Sequence, residues 1–331
     1  MQHQNFFTFS ASTNFDLGLQ LGETFRERTQ ESIAKGKENK DWEEKRTRSL
    51  DYLQKSEPVF PQLVEEIKGY ANGAGVDFID LWTRSLEDEF DHYQQEKCTA
   101  VFTNNGLLVS HNEDWASNSQ DNICVVKKSI NGLTIFELFY FNTLGGNSIS
   151  INSHGYVQSI NTLSHSDWQI GIPRNVIARW LSETSDPEKD FEKLKSLKRS
   201  MGYNHVLVNL KGEIYNIECT SKQQELTKPL SPFVHTNHYT GTLKDTENKD
   251  IHETNSSTFN RYRKASSLVR SEITIDELMI LSSNQDEGPN QSILNERTIG
   301  KMIIDLENKV AKVWLLRENE AGWIDYDLDF I

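Results

Sequence analysis

Cys98 opens an apolar run, CTAVF, which turns at Thr103-Asn104-Asn105-Gly106 and returns as LLVSH into the polar cluster His111-Asn112-Glu113-Asp114. An Asn-Gly pair between β-prone runs predicts a hairpin, and folding it back sets residues 111–113 opposite Cys98. Which of those side chains shares the sulfur's face depends on the register, because a slip of one residue reverses every side chain. A thiol that attacks an acyl carbon needs a base, an orienting partner and donors for the oxyanion. The α-amino group of a cysteine that begins a chain is one such base, since its ordinary pKa of about 7.7–8.0 suits proton shuttling near neutrality. An enzyme of that kind must first cut its own chain. Helix-rich sequence ends and strand-rich sequence begins at Lys97-Cys98, which is the layout expected if cleavage there frees the nucleophile.

Plainer readings stand beside this one. Cys98 can be a small buried hydrophobe at the start of a strand, Asp114 a turn cap, and His111 a structural histidine or a substitute base in an uncut chain. Cys124 and Cys219 lie within apolar strands and read as inert core. His235 and His238 bracket Asn237, but on a strand that spacing sends them to opposite faces, and no HExxH or paired cysteines complete a tetrahedral site. No metal and no cofactor are expected. The acidic run SLEDEFDHYQQE reads as a solvated helix end, with binding of a cationic amine product as the sharper alternative.

The elements that must position these residues follow from periodicity. Leu17, Leu21, Phe25 and Ile33 recur at helical intervals, a second charged helix spans 39–54, Pro61 opens a third, and Asp77 caps a fourth. From Cys98 onward the period shortens. NICVVKKSI and LTIFELFYF join across Asn131-Gly132, NSISINS and YVQSINTL across His154-Gly155, HVLVNL and EIYNIECT across Lys211-Gly212, and RTIGKMIIDL and AKVWLL across 307–309. Helical spacing returns in NVIARWLSE, in PEKDFEKLKSLKR with Pro187 at its start, in TFNRYRKASSLVR, and over 274–282. Runs of strands separated by runs of helices fit an α+β fold of two antiparallel sheets with helices outside better than βαβ alternation. The expected division is a helical N-terminal segment, 1–97, and a catalytic unit, 98–331.

The chain has 331 residues and carries a net charge of −14, so a nucleic-acid phosphate backbone would repel it. Its 36% apolar share, with 7 Trp, 10 Tyr and 16 Phe, supplies a core. The first residues lack a cationic n-region and an apolar h-region, and nothing approaches eighteen consecutive apolar residues. The expectation is a soluble, cytoplasmic protein with no membrane partner. Three scattered cysteines make no disulfide framework.

Several segments together resemble the isopenicillin-N acyltransferase-like, cysteine-type Ntn (N-terminal nucleophile) hydrolases, peptidase family C45. They are PQLVEEIKGYANGAG, CTAVFTNNGLLVSHNEDW, NSHGYVQSINTL, GIPRNVIARWLSET and VHTNH. The resemblance implies a four-layer αββα sandwich and an amidohydrolase or acyltransferase that forms an S-acyl intermediate on an N-terminal cysteine. Carried over by position, Cys98 resembles the nucleophile and Asp114 the aspartate that orients its amino group and thiol. Asn237 resembles the oxyanion-hole asparagine, and Asn161 the asparagine whose neighbourhood supplies a further donor. The family's late arginine falls at Asn295, with Arg297 two residues away as the candidate. The family usually has glycine before the cysteine, where this chain has Lys97. The implied partner is a small N-acyl substrate, together with self-association of the two fragments if the chain is cut. The alternatives are an uncleaved, non-catalytic relative that binds acylated small molecules, and a thiol redox sensor.

Overall fold

The computed structural model describes residues 2–90, 97–247 and 256–331. Two sheets face each other. The first runs β1 (Phe6–Ala11), β4 (Ile123–Ile130), β5 (Leu133–Tyr140), β6 (Ile149–Asn152), β7 (Val157–Thr162), β8 (Tyr203–Val208), β9 (Ile214–Cys219), β10 (Gln224–Thr227). The second runs β11 (Phe233–His235), β2 (Lys97–Thr103), β3 (Leu108–Asp114), β12 (Thr298–Asp305), β13 (Val310–Leu315), β14 (Ile324–Asp327). Between the sheets, Ala100, Phe102 and Val109 pack against Val125, Leu138, Ile149 and Val206. Fully burying each of the larger side chains contributes roughly 1.5–3 kcal/mol.

The outer face of the first sheet, with Cys124, Val126, Phe139 and Ile217, is covered by helices. These are α1 (Asn14–Thr24), α2 (Arg26–Lys37), α3 (Trp42–Ser56), α4 (Pro61–Ala74), α5 (Phe78–Ser85), α6 (Glu87–Phe90), α7 (Arg174–Leu181) and α8 (Pro187–Ser196). On the second sheet, Val101, Leu108 and Ile303 meet α9 (Ser256–Leu268) and α10 (Ile275–Ser282) through Ala265, Leu278 and Leu281. The order of layers is therefore αββα.

Helices α1 and α4 cross with their backbones almost touching. A Cβ on Gly18 would fall 1.8 Å from the Glu66 carbonyl oxygen, and one on Gly69 would fall 2.0 Å from that of Phe15. The two G-x-x-x-G spacings, Gly18/Gly22 and Gly69/Gly73, leave room for this approach.

Two expectations need correction. Among the described residues of segment 1–97, β1 and Lys97, the first residue of β2, are strand, and β1 lies parallel to β4, so the sheets are antiparallel apart from that edge pair. FFTFSA splits its aromatic rings between two cores: Phe9 faces Phe25 and the helices, whereas Phe6 lies against Phe136 and Tyr326. The acidic run is also not wholly solvated, because Glu89 is buried and accepts the Arg174 amide at 2.6 Å and the Ser200 hydroxyl at 2.6 Å. The rest of that run, 91–96, lies outside the described residues. Among the described residues no helix is long and apolar enough to cross a membrane.

Candidate active site

The turn after β2 places Asn104, Asn105 and Gly106 at φ values of 51°, 56° and 84°. Asn and Gly tolerate this left-handed conformation. The resulting register pairs Cys98 with Glu113, Ala100 with His111, and Lys97 with Asp114. Directly paired residues share a face. The thiol, Glu113 and His111 therefore point between the sheets, while Asp114 and Asn112 point to the outer helical layer.

On the inner face the Cys98 Sγ lies 3.8 Å from Glu113 Oε1. Tyr140 donates to the same oxygen at 2.8 Å, and Ser148 donates to Oε2. His111 pairs through Nε2 with Glu113 Oε2 at 2.9 Å and through Nδ1 with the Ser159 hydroxyl at 2.8 Å. The sulfur, an imidazole nitrogen and a carboxylate oxygen lie within 4.8 Å of one another, which makes these three residues able to hold a metal ion.

The Cys98 backbone is clamped separately. Its amide donates to Asn237 Oδ1 at 2.8 Å, and Asn237 Nδ2 donates to the Thr162 carbonyl at 3.1 Å. From α9, Arg261 donates to the Cys98 carbonyl at 2.6 Å, to Thr99 Oγ1 at 2.9 Å and to Asn237 Oδ1 at 2.9 Å. Arg261 is fully buried, and that burial lowers its pKa, opposed by the charge of Asp114.

Asp114 accepts from Thr298 Oγ1 at 2.6 Å and Asn295 Nδ2 at 2.7 Å. Burial pushes its carboxyl up to about 6, against the opposing pull of Arg261 and these two donors. It is thus across β3 from the thiol, with its charge acting on Arg261. Arg297 immediately precedes β12, and its carbonyl accepts the Trp115 amide at 2.8 Å. Its neighbour Asn295, which falls where the family's arginine does, is the residue that meets Asp114. Asn161 is buried on β7 with both carboxamide atoms unpartnered among the described residues. Its neighbour Thr162 ties β7 to Asn237. Cys124 and Cys219 are buried free thiols, with burial pushing Cys219 up to about 11. Strand β11 ends at His235, and the rings of His235 and His238 stack with centroids 6.5 Å apart, so the two do not take the opposite faces expected of them; His235 pairs with Glu218 at 2.9 Å and His238 faces Thr258 at 3.1 Å.

Cys98 and Glu113 line a cleft of about 90 Å³, open to solvent, with Trp115, Tyr140, Asn147 and Tyr203 among its walls. Asn142 and Asn147 also line it, and their carboxamide oxygens are buried with no hydrogen-bond partner among the described residues. Sequence reasoning missed Glu113 and Arg261 as site residues. The register that selects Glu113 is a tertiary outcome. A signal for Arg261 did exist, since Thr258, Arg261 and Ala265 form one stripe of α9 and a cation on a buried stripe needs a partner.

The family model described as "Acyl-coenzyme A:6-aminopenicillanic acid acyl-transferase" matches residues 101–320, beginning just after Cys98. The chain is 26% identical to the beta-alanyl-dopamine/carcinine hydrolase of Drosophila melanogaster over 56% of this chain and 56% of that protein. It is 25% identical to the 40 kDa form of acyl-coenzyme A:6-aminopenicillanic-acid-acyltransferase of Emericella nidulans, over 58% of this chain and 55% of that protein. It thus spans about half the length of the curated relatives it matches. Among solved structures, penicillin V acylase from Agrobacterium tumefaciens aligns with a TM-score of 0.43 at 12% identity, covering 66% of this chain and 83% of that one. A variant of conjugated bile acid hydrolase from Clostridium perfringens aligns with a TM-score of 0.40 at 15% identity, covering 71% and 93%. Likeness of this degree carries no inference of its own.

Proposed function

Because the chain belongs to the acyl-coenzyme A:6-aminopenicillanic acid acyl-transferase family, we propose that it hydrolyses or transfers the acyl group of an N-acyl small molecule through an S-acyl intermediate on Cys98, activated by self-cleavage of the Lys97-Cys98 bond. The observation that carries this reading is the placement of the Cys98 thiol on the wall of an open cleft while its carbonyl and amide are held by Arg261 and Asn237.

After cleavage the Cys98 α-amino group takes the thiol proton as Sγ bonds to the substrate's acyl carbon. The carbonyl electron pair moves to oxygen, and carboxamide donors stabilise the oxyanion. Asn237 has one Nδ2 hydrogen on the Thr162 carbonyl and a second to offer. Asn161 has a carboxamide with no partner among the described residues. Collapse breaks the C–N bond, the ammonium returns its proton to the departing amine, and the thioester passes to water or to an incoming amine. Asp114 and Arg261 act as positioning residues for the Cys98 backbone. Arg297 is the arginine nearest in sequence to the family's late position.

A panel of N-acyl amines and amide-bearing β-lactams, with mass detection of the acyl adduct, tests the reading. One substrate of the panel is expected to leave its acyl group on the peptide that begins at Cys98, and Cys98→Ala is expected to abolish turnover and leave the chain uncut. Full turnover in Cys98→Ala would overturn it.

A further inference from the structure

We infer that Cys98, His111 and Glu113 form a transition-metal site suited to Zn²⁺, whose occupancy blocks the thiol. The blocking half rests on the reading of Cys98 as nucleophile, whereas the metal site stands on geometry alone. Three ligand types that zinc favours meet here, a thiol, an imidazole and a carboxylate, all buried and all within 4.8 Å of one another.

Zinc bonds of about 2.3 Å to sulfur and 2.0–2.2 Å to nitrogen or oxygen place tetrahedral ligand atoms roughly 3.3–3.7 Å apart. The sulfur stands 3.8 Å from Glu113 Oε1 and His111 Nε2 stands 2.9 Å from the other oxygen, Oε2, so an ion bound through one of these oxygens needs the carboxylate to turn and the His111–Glu113 pair to open by a few tenths of an ångström. All three residues project from the paired strands β2 and β3.

The outer partners that a metal site requires are also present. Ser159 holds His111 Nδ1 at 2.8 Å, which fixes the ring, and the ion takes the place of the Glu113 contact at Nε2. Tyr140 and Ser148 hold the Glu113 carboxylate. Cys98 and Glu113 line the cleft, so a fourth coordination position opens towards it and is available to water. Binding releases the thiol proton to solvent and commits the sulfur's lone pair to the ion. An acyl carbon then finds no free nucleophile until a chelator removes the metal. The histidines that bracket Asn237 in sequence play no part in this site.

The full-length chain, stripped with a chelator, is titrated with Zn²⁺ by calorimetry and with Co²⁺ by absorbance. One zinc per chain is expected, together with a thiolate-to-cobalt charge-transfer band that is absent in Cys98→Ala. His111→Gln is expected to weaken zinc binding by more than tenfold, and Ser159→Ala by about 10–100-fold, the usual effect of losing an outer-shell partner. One equivalent of zinc is expected to stop acyl transfer, and chelator to restore it. The cobalt band is read on the unaltered chain, so a variant that fails to fold does not affect that test. Absence of zinc binding, or binding with no charge-transfer band, would overturn the site, and acyl transfer that continues in the zinc-loaded chain would overturn the blocking. If zinc binds with the band and Cys98→Ala retains turnover, the metal site is supported and the nucleophile reading is what fails.

Discussion

At the scale of single residues, Glu113 is the carboxylate beside the Cys98 sulfur, and Asp114 is on the other face of the strand with Thr298 and Asn295. This separates two roles that the His-Asn-Glu-Asp cluster leaves merged in sequence. Asp114 gives a pH prediction. Its folded-state carboxyl titrates at about 6 against an ordinary 3.8, so the folded chain holds this proton more tightly than the unfolded chain does. Between about pH 4 and 6 the unfolded state binds fewer protons, and this group's contribution to stability falls as pH rises through that window. The full loss is about 3 kcal/mol at 1.36 kcal/mol per unit. Asp114→Asn is expected to lack this decline, so denaturant curves of the two chains should diverge across pH 4 to 6, with the wild type losing ground. Asn237→Ala is expected to lower turnover by roughly a hundredfold or more, as loss of an oxyanion donor does. Steady-state kinetics on a substrate that acylates Cys98 checks it, and unaltered turnover would remove Asn237 from the oxyanion site. Cys98 and Asn237 are readable as candidates because the first stands near the start of a β-prone run whose hairpin returns a polar cluster and the second falls within VHTNH. Glu113 and Arg261 are not, because their roles depend on which face a strand presents and which helix covers it.

At the scale of elements, alternation and turn chemistry are local, and this is why the Cys98 hairpin, the paired strands from Ile123 to Cys219 and the helices at Pro61, Asp77 and Pro187 are readable from the chain. Strand β1 is less visible. Its six residues gain their place from parallel pairing with β4, more than a hundred residues away, and nothing local records that partner. The glycines of α1 and α4 read as weak helix positions when each helix is taken alone. Their meaning appears only at the crossing, where backbone meets backbone. Gly69→Ala is expected to cost about 1–3 kcal/mol, the usual range for overpacking, and to lower the melting temperature while leaving the cleft chemistry in place once folded. A melting temperature equal to that of the wild type would show that the crossing can spread to admit a methyl group.

At the scale of the whole molecule, the segment preceding Cys98 is built into the same core as the sequence that follows it. Leu17, Leu21, Phe25, Tyr70 and Trp82 share one cluster with Cys124, Phe139, Trp180 and Ile217, and β1 borders the larger sheet. A chain cut at Lys97-Cys98 is therefore expected to remain one particle. The two fragments should elute together from a native sizing column and separate only in denaturant, and fragments that part without denaturant would contradict that shared core. The sequence cannot show this integration, because helical periodicity marks a face to be buried without naming what buries it.

Mass spectrometry of a fully active preparation after denaturation tests the central claim most directly. Two polypeptides are expected, residues 1–97 and a fragment that begins at Cys98 and carries the acyl group when trapped with substrate. An active preparation made up only of intact chains of 331 residues would contradict it.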